Sequence, residues 1–416
     1  MASTDEARLA AAVASGSAAA TTDPALARCA DWLARKPALA TRLASINEPD
    51  ELHAALLAAN AAHGHADDAP ALATLAFERA APPHPPRATW PLAQRRGWQP
   101  LVLEWSGAGA EIVWGCGEVP DTVAFHEQIV ATLRYRPFNR WFAQRTPLTP
   151  AFVAELEKDA LPLAGLVLHE SRCGSTLIAQ VLKAWPGTRV VSEPGLLDTA
   201  LTAALSGMDP TASTFRAALA ALRQPAHDDA RVVIKLDAWH ALALGVLRSL
   251  LPEVPWLFAY RDPLEVLVSH QKEPGRHTVP GMLPEAWLAP AFTDDTQLPI
   301  EHAARVLGSL CAAVVPHAQA AQLVNYAELA DPTSDALSTR IPRLFGLDPA
   351  AVDRERFAAA RAHHSKHPRE AFVDDRAAKN EAATDALREI AARWMDPHHA
   401  ALEAIRLGAT DLSASS

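Results

Sequence analysis

The spacing of apolar residues changes along the chain, and each change predicts a different kind of structure. Residues 1–80 are alanine-rich, with Leu26, Leu33, Leu39 and Leu43 at helical intervals, and predict several short helices. Pro82, Pro83, Pro85 and Pro86 end that pattern. The runs LVLEWSG and EIVWGCGE, joined through Ala108, Gly109 and Ala110, then predict a β-hairpin, followed from about Asp121 by an amphipathic helix. From about residue 161 short apolar runs (LAGLVLH, TRVVSE, RVVIKL, VPWLFAY and AQLVNY) alternate with helical or loop sequence. Runs of that kind suit strands buried on both faces, so the fold class expected is α/β, a doubly wound parallel sheet. The chain divides in this reading into an N-terminal helical then α+β region, 1–150, and an α/β domain, 151–416.

Ligands of such sheets bind beyond the carboxyl ends of the strands. The first strand of the series runs into Arg172, Cys173, Gly174, Ser175 and Thr176, and then into Leu177, Ile178, Val181 and Leu182 at helical spacing. A strand, a tight polar loop and a helix start make an anion site: glycine admits close backbone approach, and the first N–H groups of the helix and its dipole favour negative charge. The nucleotide triphosphatase pattern, Gly, four residues, then Gly-Lys-Ser/Thr, is not met, because His169 stands at the first glycine and no lysine follows Gly174. Cys173 has no sequence partner to activate it and reads as a small buried residue.

Polar residues close the later strands too: Glu193 after the second, Lys235 and Asp237 after the third, Arg261 after the fourth. In YRDPLEVLVSHQ, Asp262 is placed to cap a helix and Pro263 to occupy its first position. Arg261 and Ser269, about two turns into that helix, suit a further phosphate. Residues 275–300 are rich in proline and loop formers, which predicts a lid or binding loop, and variable loops at 196–228 and 275–300, with part of the N-terminal region, are expected to shape a substrate pocket.

Composition narrows the class. With 49% hydrophobic and 21% charged residues over 416, the chain is globular and enzyme-sized. A net charge of −10 argues against nucleic acid as partner. Cys29, Cys116, Cys173 and Cys311 are too scattered for a disulfide framework or zinc site. Asp5 and Glu6 stand where a secretory signal carries positive charge, and no apolar run reaches membrane-spanning length, so a cytoplasmic protein without a membrane partner is expected. Five of eleven tryptophans, Trp90, Trp98, Trp105, Trp114 and Trp141, cluster in one stretch. They read mainly as the core of a small domain, with a pocket or homo-oligomer interface as the alternative.

Together SRCGST after a strand, SEP after the next and YRDPLEVLVS after a later one resemble the sulfotransferases that use 3′-phosphoadenosine 5′-phosphosulfate (PAPS), especially bacterial and Golgi-type members with arginine in the loop. The resemblance spans roughly 161–375 and implies a P-loop-like core. It implies that Arg172, Cys173, Gly174, Ser175 and Thr176 hold the 5′-phosphosulfate, that Arg261 and Ser269 hold the 3′-phosphate, and that Lys366 or Arg369 supplies a late basic contact. The base removing the acceptor's proton is implied to be Glu193, with Asp237 and then His240 as alternatives. No metal is expected. The acceptor would be a small molecule or carbohydrate bearing a hydroxyl or amine. Two other readings stay open: a nucleotide-dependent kinase or phosphatase of the same fold, against which the missing lysine counts, and a sulfotransferase-like scaffold without activity.

Overall fold

A computed structural model describes residues 24–64, 97–106, 109–118, 123–225, 228–287, 298–364, 367–371, 379 and 381–408. The chain forms two compact units, the first from 1–119 with 131–147 and the second from 120–130 with 148–416. The short segment 120–130 thus belongs with the later domain, which a single cut at 150 does not capture.

In the first unit helices α1 (Pro24–Ala34), α2 (Pro37–Ala44) and α3 (Pro49–Ala62) accompany an antiparallel sheet in the order β1-β2-β3, made of Trp98–Ser106, Gly109–Cys116 and Gln144–Pro147. The expected hairpin is the β1–β2 pair, running from Trp98 opposite Cys116 to Ser106 opposite Gly109 with a register shift between Pro100 and Val102. Trp98 and Trp114 are buried, with the Trp98 ring 6.3 Å from Phe138. Trp105 is 40% exposed, so the tryptophan stretch is only partly core. The expected amphipathic helix is α4 (His126–Tyr135). After it comes the short α5 (Pro137–Phe142), where buried Asn139 accepts from the Cys116 N–H and donates to the Cys116 and Leu133 carbonyls. That satisfies backbone groups which would otherwise cost free energy once buried.

The second unit opens with α6 (Pro150–Asp159), capped by Thr149. Its sheet has five strands, all parallel: β4 (Leu163–His169), β5 (Thr188–Ser192), β6 (Arg231–Lys235), β7 (Trp256–Tyr260) and β8 (Leu323–Asn325). These are the five apolar runs of the sequence. Spatial order is β5-β6-β4-β7-β8. The chain leaves β4 for the β5 edge, returns through β6, then crosses to β7 on the far side of β4, so the strand order reverses at β4. A crevice opens at such a reversal, outside the carboxyl ends of the strands. Leu166, Val167 and Leu168 of β4 are buried, each contributing about 1.5–3 kcal/mol of hydrophobic stabilisation.

Two expectations change here. The 196–228 stretch is largely helical, as α7 (Ser175–Leu182) and β5 are followed by α8 (Gly195–Leu205) and α9 (Ser213–Leu222); the leucines and alanines of both are mostly buried. The fifth strand stops at Asn325 because that residue and Glu328 form a capping box that starts the next helix. After α10 (Leu244–Leu250) and β7, α11 (Pro263–Lys272) has Asp262 accepting from the Leu264 and Glu265 N–H groups and Pro263 in its first turn, as the sequence implies. Further on lie α12 (Pro299–Val314), α13 (Tyr326–Ala330), α14 (Ile341–Leu344) and α15 (Arg354–Ala362), then the strand pair β9 (His363–His364) and β10 (His367–Ala371), and finally α16 (Asp385–Trp394) and α17 (Asp396–Arg406). Among the described residues no helix is long and apolar enough to cross a membrane.

Candidate active site

The loop after β4 is held in an unusual backbone. Four non-glycine residues have positive φ among the described residues, and three of them, Ser171 at 93°, Arg172 at 53° and Glu193 at 51°, stand at the carboxyl ends of β4 and β5. Each costs on the order of 1–3 kcal/mol and concentrates where a ligand must be met. Gly174, at φ 81°, is the residue before α7 and has no side chain with which to cap it. The N-cap residue therefore offers no side-chain acceptor to the first N–H groups of α7, of which that of buried Ser175 meets the Cys173 thiol. A Cβ on Gly174 would lie 2.9 Å from Tyr326 Cδ2 and 3.1 Å from Leu329 Cδ1. Gly174→Ala is expected to lose about 1–3 kcal/mol of stability together with anion affinity, read by urea denaturation and by phosphate titration; an unchanged midpoint would refute this account of the loop.

Neighbouring strands fix the loop from both sides. The Ser171 N–H donates to His169 Nδ1 at 3.2 Å, so Nε2 is the ring's donor and reaches the Leu236 carbonyl at 3.0 Å. Cys173 Sγ donates to the Ala259 carbonyl at 3.1 Å, and burial pushes its thiol up to about 11. A thiol so placed is a packing group rather than a nucleophile. Glu170 is almost wholly buried and accepts from the Arg261 N–H at 3.2 Å. Burial pushes its carboxyl up to about 8, so it carries a proton at neutral pH.

Facing the loop is a chain of carboxylates. Glu193 is ion-paired with Lys235, whose side chain is buried, and its Oε1 lies 3.4 Å from His169 Nε2. The Lys235 ammonium also stands 5.4 Å from the centre of the Phe125 ring. Burial would raise the Glu193 carboxyl, but the Lys235 charge and the His169 bond outweigh it and hold the group well below the carboxylate range. Asp237 has the opposite fate. Burial, reinforced by Glu193 and Asp198 against an opposing His240, pushes it up to about 7. His240 Nε2 lies 3.2 Å from Asp198 Oδ1 and 3.8 Å from Asp237 Oδ2.

No protein-family model and no curated protein matches this chain.

The other predicted residues lie close by in different settings. Arg172 is fixed from the end of α11, its Nη2 donating to the Glu273 carbonyl at 2.9 Å and its Nη1 lying 3.1 Å from Glu273 Oε2. Arg261 is buried: its Nε donates to Glu265 Oε2 at 2.5 Å and its guanidinium lies 3.9 Å over the Tyr326 ring. Ser269 Oγ donates to the Glu265 carbonyl at 2.7 Å. Arg261 and Ser269 thus meet at one residue, Glu265. Lys366 lies outside the described residues, and for Arg369 the backbone alone is described, within β10. The tract 275–287 is anchored, with Trp287 Nε1 donating to Thr202 Oγ1 at 2.8 Å and the Trp287 ring stacked on His240 at 5.1 Å; residues 288–297 of the expected lid lie outside the description.

Glu170, Asp198 and His277 enter only with the structure. Glu170 had a sequence signal, a carboxylate directly at the end of an apolar strand. Asp198 and His277 had none, since a first-turn aspartate and a loop histidine are ordinary residues there.

Proposed function

We propose that this chain is a sulfotransferase, moving the sulfuryl group of PAPS to a hydroxyl or amine of an acceptor. One observation carries the reading: an arginine-bearing loop and a helix start without an N-cap side chain follow the central strand β4, and a buried carboxylate raised to about 7, Asp237, follows the adjacent strand β6. Sulfuryl transfer needs those two elements opposite one another. The sulfur–oxygen bond to the donor's phosphate breaks as a new one forms to the acceptor oxygen or nitrogen, and negative charge develops on the departing phosphate oxygen. Arg172 and the loop N–H groups stabilise that charge. The acceptor's proton goes to a carboxylate.

For that base the geometry favours Asp237 over Glu193. A general base works best with a pKa near the operating pH, whereas Glu193, clamped by Lys235, stays ionised and binds a proton poorly. Glu193 instead raises the basicity of Asp237, against the smaller opposing effect of the Lys235 ammonium paired with it. The core supporting this chemistry would be P-loop-like, with β4 and α7 flanking the anion loop. The 5′-phosphosulfate would lie against the loop N–H groups and Arg172. A 3′-phosphate at Arg261 and Ser269 would have to share them with Glu265.

Calorimetric titration with 3′,5′-adenosine bisphosphate, ADP and ATP, without magnesium, tests the donor. The expected result is at least a tenfold preference for the bisphosphate, reduced by Ser269→Ala with ADP affinity unchanged. Preference for ATP would put a kinase in its place, and absence of binding would remove the donor altogether.

A further inference from the structure

Beside the carboxylate base stands a group of residues that sulfuryl transfer does not require. Asp198 Oδ1 accepts from Trp239 Nε1 at 2.6 Å and lies 3.2 Å from His240 Nε2. Burial opposes ionisation of Asp198, but the bonds from His240 and Trp239 outweigh it, so its carboxylate is charged and its side chain remains 22% exposed. The Trp239 ring also meets His277, ring centres 5.7 Å apart. His277 is 4% exposed, and its Nε2 is buried with no hydrogen-bond partner among the described residues. A polar nitrogen left so costs about 1–3 kcal/mol unless a ligand completes it. Its field is set by burial, His270, His169, Glu193 and Arg172, so the ring stands where the anion loop and the carboxylates meet, and it is held neutral.

A fourth residue shows what the place attracts. Arg276 is exposed, yet its guanidinium sits 5.9 Å from the Trp239 ring and within the field of Asp198. A flexible cation resting on an indole beside a carboxylate occupies the position that a ligand cation would take. Asp237, raised by burial and by Glu193 and Asp198, adds a second carboxyl group to the same neighbourhood.

We propose that Asp198, Trp239 and His277 form a subsite for a protonated amine, carried by the acceptor at a position other than its nucleophilic group. The carboxylate pairs with the ammonium, the indole face meets its charge, and His277 Nε2, in the Nδ1–H tautomer, accepts one of its N–H bonds. That the amine belongs to the acceptor rests on the sulfuryl-transfer reading; the subsite itself rests on these three residues.

The test uses the full chain without nucleotide and two matched probes, benzylamine as the cation and benzyl alcohol as its neutral counterpart, followed by the shift of the Trp239 indole N–H resonance. Benzylamine should bind at least tenfold more tightly, and Asp198→Asn should abolish that preference. Because Asp198 also supports Trp239 and His240, a second variant is needed. Arg276→Ala, on the surface, should strengthen benzylamine binding several-fold and leave benzyl alcohol unchanged. Equal affinities for the two probes, or an Arg276→Ala chain that binds benzylamine no better, would overturn the subsite. Loss of bisphosphate binding with the amine preference intact would instead fell the donor reading and leave the subsite standing.

Discussion

Asp237→Asn is expected to lower turnover by about 10²–10⁴-fold, the usual contribution of a positioned general base. The pH dependence should change with it. As the proposed base, Asp237 must lose its proton to act, so kcat/KM should rise with pH through about 7 and level off above it. The variant should have no such limb. Glu193→Gln provides the contrast: it removes a carboxylate that raises Asp237, so the limb should move to lower pH while most of the rate survives. A 13C titration of the Asp237 carboxyl gives the same answer without an acceptor, with a midpoint near 7 in the native chain and below it in Glu193→Gln. A profile abolished by Glu193→Gln and kept by Asp237→Asn would return the base to Glu193.

The second large effect is on stability. The Glu170 carboxyl stands at 4.5 when solvated and is raised to about 8 by burial, against the Arg261 N–H bond that lowers it. The folded chain therefore keeps a proton that the unfolded chain has already lost between those two values. Stability associated with this group is complete below pH 4.5 and falls as pH rises to about 8. At one pKa unit per 1.36 kcal/mol the whole loss has a ceiling on the order of 5 kcal/mol. Glu170→Gln keeps an oxygen for the Arg261 N–H and has no proton to lose. Its urea midpoint should pull ahead of the native one as pH rises from 5 to 9, with little difference at the acid end. Parallel curves across that range would show that Glu170 is not buried as a neutral acid.

Much of the second unit was legible because its signals are local. Buried parallel strands must be apolar on both faces, so β4 to β7 stand out as short apolar runs, and the Asp262–Pro263 start of α11 follows from cap chemistry that involves only neighbouring residues. The hairpin of the first unit was equally plain, since alternation and a glycine turn are short-range features. The helices within 196–228 escape local reading for the same reason in reverse: alanine and small polar residues give a weak periodic pattern, and burial of α8 and α9 against each other and of α9 against α6 decides the outcome.

The candidate site divides along the same line. Local sequence places a glycine-containing polar loop after the first strand and polar residues at the ends of the later ones, and so marks one end of the sheet as the candidate site. Tertiary structure alone decided what each of those residues is. Glu193 and Asp237 are both carboxylates after strands, yet the Lys235 ammonium holds one ionised while burial and two neighbouring carboxylates hold the other near neutrality. Arg172 and Arg261 both follow strands, yet one is held at the surface by Glu273 and the other is packed on Tyr326 against Glu265. A pKa or an ion pair depends on charges and burial contributed by segments far apart in the chain. Such distances are set by the order β5-β6-β4-β7-β8, and no local pattern encodes them.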